Sequence, residues 1–506
     1  MKLTELISPT GDPDPAPCPD AIARAPLGDP EIVGLTADSR EVKPGFLFAA
    51  LRGAVRDGRA FARDAAANGA VAILTDDPAA LALDSAARTR IAIVTERDPQ
   101  RRLALLAARF YPRQPRVIAA VTGTNGKTSV AHFAREIWSA LGLRAASLGT
   151  LGLVTPAGRR AGALTTPDPV GLHRDLDRLA EEGIDHVAIE ASSHGLAQFR
   201  LDGVKVAAAA FTNLTRDHLD YHGDMTAYRA AKDRLFTALL APHGAAIINA
   251  DSPEAGRLVA LCRGRGHPVT AYGAAAAAEL RLVAREPRPF GQRLEVELFG
   301  RRHELDLPLV GAFQAMNALA ALGLVIASDG GGDAAALDAP LAVLPRLPGV
   351  PGRLQLVGQG PSGAPVFVDY AHTPDALATV LTALRPHAEG RLAVVFGAGG
   401  DRDRGKRPLM GRVAAELADP VYVTDDNPRS ENPAEIRRAI LAAVPNAIEI
   451  GDRRQAIAAA IAALHRGDLL VIAGKGHETG QIVADTVLSF DDVLVARELL
   501  EPAGAA

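Results

Sequence analysis

Cysteine is nearly absent from this 506-residue chain. Only Cys18 and Cys262 occur, far apart, which excludes a disulfide framework and a cysteine metal cluster. Excess charge is missing too: 55 Lys and Arg stand against 59 Asp and Glu, a net charge of −4. The chain therefore carries no basic field for nucleic acid or an anionic membrane. No run of about 18 uncharged apolar residues is present, so no membrane-spanning helix is expected. The opening MKLTELISPTGDPDPAPCPD is rich in Pro and Asp and has no apolar core of the kind a signal peptide needs. These absences describe a cytoplasmic protein. What is present, 48% hydrophobic and 23% charged residues, is ordinary for a globular fold. The length suggests roughly three domains of ~150 residues.

The most informative stretch is Ala120-Val-Thr-Gly-Thr-Asn-Gly-Lys-Thr-Ser129. An apolar run, Arg116 to Val121, leads in, and a helix predicted over Ser129 to Leu141 leads out. Gly123 and Gly126 let backbone N–H groups approach phosphate oxygens with no Cβ in the way. The helix N-terminus adds partial positive charge. Lys127 can reach terminal phosphates and the Thr128 hydroxyl can bind Mg²⁺. The generic phosphate-loop pattern is incomplete, since its first glycine would fall at Val121. An ordinary strand–turn–helix would account for the glycines but not for Gly-Lys-Thr at the helix start.

Short apolar runs at Phe46–Leu51, Val71–Thr75 and Ile91–Val94, with helical patterns at Ala60–Asn68 and Arg101–Phe110, predict a small α/β domain. Pro112 and Pro115 mark its end, near residue 114. Strands are then predicted at Val117–Val121, Val187–Ile189, Val206–Phe211 and Ala245–Ile248, alternating with helices as in a mostly parallel sheet. Period-two alternation across 280–310 predicts additional antiparallel strands. Gly330–Gly332 and the Pro-rich 344–352 form the next boundary. In the last third, strands at Val366–Val368, Leu392–Phe396, Val421–Val423 and Leu469–Ile472 each enter a polar loop. Those loops are 369–375, 397–404, 425–429 and 474–478. The carboxyl ends of parallel strands share one edge, where ligands bind, so the four loops are expected to form one composite site.

Glu190 follows the strand Val187–Ile189 and is placed to bind a nucleotide's Mg²⁺; alone, it could equally be a structural hydrogen-bonding residue. His218, Asp220 and His222 could suggest zinc, but a phosphate-transferring site needs Mg²⁺, which prefers oxygen. One histidine bordering the magnesium site is the more economical reading. Lys232 lies in a helical pattern, Met225 to Phe236, and by pattern alone is a solvated helix lysine.

GTNGKTS, LTTPD (164–168), EASSHGL (190–196), TNLTRDHLDYHG (212–223), YRAAK, DYAHTPDAL (369–377), GAGGDRDRGKRPLMG (397–411) and DDNPR run in one order, within a likeness that extends from about residue 34 to 480. Together they resemble the signature series of the Mur ligases. The resemblance implies an α/β protein of three domains. A small N-terminal α/β domain (1–114) would hold the UDP end of the substrate. A central P-loop ATPase-like domain with a mostly parallel sheet (115–348) would hold ATP, and a Rossmann-like C-terminal domain (349–506) the incoming amino acid.

It also assigns residues. Gly123, Thr124, Asn125, Gly126, Lys127, Thr128 and Ser129 would bind ATP, with Asn317, Arg353 and Asp369, which His372 follows in the same loop. Ser39 would contact the uridine side, with residues 54–56 a looser match. Thr165, Thr166, Ser192, Gln198 and Arg200 would hold the muramoyl dipeptide. Lys127, Glu190, His218 and Lys232 would be catalytic. Lys232 would be carbamylated and, with Thr128, Glu190 and His218, would bind Mg²⁺. Arg402, Asp426, Asn427, Pro428, Arg429, Gly474 and Glu478 would hold diaminopimelate.

Within the family, an arginine at position 429 implies diaminopimelate rather than lysine. Its guanidinium can take the distal carboxylate in two parallel hydrogen bonds, while Glu478 pairs with the distal ammonium. The implied reaction is an ATP-dependent ligation of meso-diaminopimelate to UDP-N-acetylmuramoyl-L-Ala-D-Glu through an acyl phosphate, in peptidoglycan precursor synthesis. The implied enzyme is a monomer that binds no nucleic acid, inserts in no membrane and closes around its substrates to exclude water. A lysine-adding ligase, a folate polyglutamylating enzyme and a non-catalytic nucleotide-binding protein are the competing readings.

Overall fold

Runs of small and branched apolar residues become strands buried on both faces, as parallel sheets require. Val117–Thr122 is buried at every position. The computed structural model describes residues 1–8, 22–23, 28–53, 56–328 and 336–501. Cys18 and the surrounding Pro/Asp-rich segment, Ala54 and Val55, and the Gly330–Gly332 boundary lie outside the described residues. The chain forms two compact units: Met1–Asn125, Leu143–Ala246 and Arg257–Val269 make one, and Gly126–Gly142, Ile247–Gly256 and Thr270–Ala506 the other.

The first unit opens with a five-stranded sheet, ordered Ile22–Ala23, Ala92–Thr95, Ala72–Thr75, Phe46–Ala49, Gly34–Thr36. All its pairs are parallel except the first. One face is covered by the helix Pro99–Phe110, which begins two residues before the sequence pattern predicts because the Asp98 side chain caps it and Pro99 fits its first turn. The 60–68 helix is observed as a 3₁₀ turn, Gly58–Phe61, followed by Ala62–Ala67. Next in this unit, Val117–Thr122 lies between Val206–Phe211 and His186–Glu190, all parallel, with Ala145–Gly149 parallel beyond. Gly152–Thr155 and Gly158–Arg160 continue antiparallel.

In the second unit, the period-two segment forms the predicted antiparallel strands Leu280–Arg288, Gly291–Leu298 and Arg301–Leu307. The helix Lys127–Ala140 packs on the almost wholly buried helix Ala312–Ser328. The C-terminal six-stranded sheet is ordered Gln355–Gln359, Pro365–Asp369, Leu469–Ala473, Leu392–Phe396, Val421–Val423, Ile448–Glu449. Only the first strand is antiparallel, and apolar cores cover both faces. The loops after Asp369, Ala473, Phe396 and Val423 therefore emerge side by side at one edge. Among the described residues no helix is long and apolar enough to cross a membrane.

Candidate active site

Register brings three strand ends together in the first unit. Glu190 pairs with Val121 and Phe211 with Thr122, so the segments after all three strands meet. The one after Phe211 staples the phosphate loop from behind. Thr124 N–H donates to Asn213 O (2.9 Å) and Asn125 N–H to Asn213 Oδ1 (2.9 Å). Thr212 Oγ1 donates to Asn125 O (2.6 Å). Gly123 has φ +150, and a Cβ there would run into Thr212 Oγ1, so the staple needs a glycine. The N–H groups of Thr124 and Asn125 are thus used inside the fold, which leaves the backbone from Gly126 onward as the loop's candidate anion-binding part. The helix starts at Lys127, two residues earlier than the sequence pattern predicts, because Gly126 turns the chain at φ +89. Gly126, at the N-cap, has no side chain with which to cap that start, and a helix N-terminus of this kind suits phosphate.

Lys232 is not on a solvated face. The helix Met225–Arg234 buries Tyr228, Ala231 and Lys232 together. Lys232 is 2% exposed, donates to Gly123 O (2.7 Å) and lies over the Tyr228 ring (4.3 Å). Tyr228 in turn meets Thr124 Oγ1 through its hydroxyl (3.1 Å). A helical pattern shows which residues share a face, not that this face meets the phosphate loop.

Glu190 is buried, and its carboxylate accepts from Thr150 N–H (2.7 Å) and Thr150 Oγ1 (3.2 Å). The same threonine hydroxyl reaches Thr165 Oγ1 (3.2 Å). Thr166 donates to Glu190 O (2.7 Å) and accepts from Ser192 N–H (3.0 Å). Ser192 Oγ caps the short helix Ser193–Ala197. Arg200 donates to Thr166 O (2.6 Å) and to Gln198 Oε1 (3.0 Å), and Gln198 reaches the Tyr221 hydroxyl (2.9 Å). Five predicted residues thus form one network attached to Glu190. Thr166 is fully buried, so it holds its neighbours rather than presenting a surface. His218 sits exposed at φ +51, its ring 4.8 Å from that of His194. Burial, then the charge of His218, holds His194 below its ordinary pKa. Ser39 stands apart from this network, in the 3₁₀ turn Ser39–Glu41 after the edge strand Gly34–Thr36, where Asp38 caps the turn.

In the second unit, Asn317 donates to Gln314 Oε1 (2.9 Å), and the Arg353 guanidinium covers the Tyr370 ring at 4.8 Å. Asp369, at the end of its strand, accepts from Leu354 N–H and Ala371 N–H (both 2.8 Å). Burial raises its pKa, with Arg353 acting against this. Lys406 donates to His372 O (2.8 Å).

The four C-terminal loops are tied to one another. Asn427 Nδ2 donates to Glu478 Oε2 (3.1 Å), Gly474 N–H to Asp369 O (3.1 Å) and Gly400 N–H to Asn427 O (2.9 Å). Arg429 donates to Gly400 O (2.8 Å), and forms no ion pair with a carboxylate among the described residues. Asp426 and Pro428 are buried, and Arg402 is exposed close to Gly399.

Among the described residues, no group of three or more His, Cys, Asp and Glu side chains is arranged to hold a metal ion. The oxygen chemistry suits Mg²⁺ nonetheless. Glu190 lies beside the phosphate loop, and Lys232 Nζ reaches the loop's carbonyl. An ammonium cannot be a ligand; a carbamate on that nitrogen would supply oxygens in the same place.

Sequence reasoning did not pick out Thr150, Asn213, Tyr228 or Lys475. Asn213, Tyr228 and Lys475 sit inside motifs already singled out; Thr150 carries no local signal.

Three family descriptions match consecutive stretches: Mur ligase family, catalytic domain (31–111), Mur ligase middle domain (121–325), and Mur ligase, glutamate ligase domain (352–476). A UDP-N-acetylmuramoyl-L-alanyl-D-glutamate–2,6-diaminopimelate ligase of Caulobacter vibrioides is 54% identical, over 94% of this chain and 96% of its own. One of the same name from Bradyrhizobium diazoefficiens is 52% identical, over 97% of both chains. A solved structure under that name superposes with a TM-score of 0.71 at 33% identity, covering 99% of this chain and 98% of the other. A MurF ligase of Thermotoga maritima, solved in complex with ADP, shares the fold at 18% identity and TM-score 0.59, over 92% of this chain and 96% of its own.

Proposed function

The chain belongs to the Mur ligase family, and from that premise we propose that it joins meso-diaminopimelate to UDP-N-acetylmuramoyl-L-Ala-D-Glu, driven by ATP, in peptidoglycan precursor synthesis. The observation that carries the amino-acid choice is Arg429. Its guanidinium is anchored on Gly400 O and has no carboxylate partner among the described residues, while the Glu478 carboxylate is fixed nearby through Asn427. A fixed cation beside a fixed anion matches an amino acid whose far end carries both a carboxylate and an ammonium.

The D-Glu γ-carboxylate attacks the γ-phosphorus of ATP, and ADP leaves. The diaminopimelate amine then attacks the acyl phosphate carbonyl, loses a proton, and phosphate leaves. Lys127 and the uncapped helix start hold the transferring phosphoryl group, where positioning and charge supply most of the rate. Gly123 to Ser129 bind ATP, with Asn317, Arg353 and Asp369. Ser39 contacts the uridine end, and Thr165, Ser192, Gln198 and Arg200 the dipeptide, with Thr166 holding them. Arg402 and Gly474 complete the amino-acid pocket. Thr128, Glu190, His218 and carbamylated Lys232 would hold Mg²⁺, which neutralises charge on the phosphates. Residues 1–114, 115–348 and 349–506 are the three domains, and the protein works as a cytoplasmic monomer.

Phosphate release with both co-substrates, comparing meso-diaminopimelate with L-lysine, tests the reading. Wild type should strongly prefer diaminopimelate, and Arg429→Ala should lose that preference by ~10–100-fold, the worth of a charge-assisted bidentate contact. Equal use of lysine by wild type would overturn the amino-acid choice. For Lys232, ¹³C NMR in labelled bicarbonate should show a carbamate carbon that Lys232→Ala lacks; a spectrum unchanged by the substitution would remove Lys232 from the metal site.

A further inference from the structure

We propose that Lys475 is a positioning residue of the amino-acid pocket: its ammonium fixes the Asn427 amide and, through it, the orientation of Glu478. This rests on the ligase reading above. Lys475 follows the strand Leu469–Ala473 in the loop Gly474–Glu478. The glycines on either side of it have φ +119 and +56, a local path that L side chains rarely allow, and the lysine between them is completely buried. Charged side chains are almost never buried to this degree without a fixed task.

Its contacts identify the task. Lys475 Nζ donates to Asn427 Oδ1 (3.1 Å) and stands 3.7 Å from Glu478 Oε2. Ile482 N–H donates to the same Asn427 oxygen (2.9 Å). An ammonium can only donate, as can a backbone N–H, so the Asn427 oxygen must face both. The amide NH₂ is thereby turned toward Glu478 and donates to Oε2 (3.1 Å). Glu478 is thus held through one oxygen, and Oε1 makes no hydrogen bond among the described residues.

The surroundings confine the lysine to this role. The neighbouring buried cation, Arg453, is already satisfied by Asp492 through two hydrogen bonds of 2.7 Å. Burial lowers the Lys475 pKa, while Asp426 and Glu478 act to keep it charged. Without the ammonium, the Asn427 oxygen keeps only the Ile482 N–H, and Glu478 loses its fixed positive neighbour. The predicted loss falls on the diamino acid, not on ATP or the UDP-linked substrate.

The test measures KM for all three substrates, with melting temperatures, in wild type, Lys475→Met, Lys475→Gln, Glu478→Gln and the Lys475→Met/Glu478→Gln double variant. Lys475→Met should raise the diaminopimelate KM ~10–100-fold, as expected for losing a hydrogen bond from a charged group. The other two KM values should stay within about twofold, since those contacts are intact. Lys475→Gln, which keeps an N–H donor, should recover part of the loss. The double variant should be no worse than the poorer single, the signature of two residues acting as one. An unchanged diaminopimelate KM in Lys475→Met, a joint rise of all three, or multiplying effects in the double would overturn the assignment. Should Lys475→Met fail to fold, Lys475→Gln decides on the same readouts. Wild-type protein that releases no phosphate with diaminopimelate overturns the ligase reading itself; wild-type turnover with an indifferent Lys475→Met overturns only the role of Lys475.

Discussion

Around Glu190, in the first unit, uncharged groups make most of the contacts that keep the site residues in place: Thr150 on the carboxylate, Thr166 on Glu190 O and Ser192, the Asn213 amide on the phosphate loop, with the buried Lys232 on Gly123 O as the charged exception. Around Asn427, in the second unit, the same task falls to buried charge. Lys475 and the Arg453–Asp492 pair are fully buried, and Arg407 pairs with Glu431 at 2.8 Å. Both sets stand at the carboxyl ends of parallel strands, so the fold does not explain the difference. The ligand proposed for each does. A polyphosphate brings its own dense charge and needs a shaped loop with a positive end. A diamino acid has charges of both signs at a fixed spacing, and discriminating it calls for fixed charges of both signs. The two designs also fail differently. A neutral hydrogen bond is worth ~1 kcal/mol net, whereas removing one member of a buried ion pair costs ~3–5 kcal/mol because the other charge is stranded.

The largest effect should therefore come from Asp492→Ala. It would strand the Arg453 guanidinium, which is 0% exposed in the pair, and lower stability by ~3–5 kcal/mol in urea unfolding. Replacing both members, Arg453→Met with Asp492→Leu, should recover most of that loss, because no charge remains buried. A double variant as unstable as the single would mean the pair contributes shape rather than charge balance.

The units are alike in one respect, and acid should expose it. Each buries a histidine in the neutral form: His132 in the helix after the phosphate loop, with its pKa lowered to about 3 by burial and then Arg135, and His173, lowered to about 4 by burial. Each folded pKa lies below the ordinary 6.5, so the unfolded chain binds more protons in the window between. The stabilisation is complete above about pH 6.5 and declines as pH falls toward the folded values. At pH 5 each histidine should have cost about 2 kcal/mol. Urea midpoints at pH 7.5 and 5 should show this loss in wild type, and His173→Gln should remove about half of it. The same loss in the variant would place the acid sensitivity elsewhere.

Much of this organisation can be read from the chain. Buried parallel strands announce themselves as apolar runs, so Val117–Thr122, Val206–Phe211 and Leu392–Phe396 fall where the pattern puts them. The period-two segment became antiparallel strands, and the four C-terminal loops share an edge because their strands are parallel neighbours. What could not be read depends on tertiary contact. Lys232 looked solvated because its helix pattern cannot reveal that its face meets Gly123. Thr150 supports Glu190 from 40 residues away, with no spacing rule to mark it. The helix start shifted to Lys127 because Gly126, rather than a capping side chain, ends the loop.

The smallest expected effect is the most direct test of the neutral design. Thr166→Val keeps the size of a fully buried side chain but removes the hydroxyl that bonds Glu190 O and Ser192 N–H. Stability should fall by only ~1–2 kcal/mol, since no charge is stranded. The KM for the UDP-linked substrate should nonetheless rise, because Ser192 and the Arg200–Thr166 link lose their reference point. Thr166→Ser, which restores the hydroxyl, should return most of the binding. If Thr166→Val instead cost as much as Asp492→Ala, the hydroxyl network would be as critical to folding as the buried charges. The contrast between the two units would then lie in their ligands alone, and not in how their sites are held.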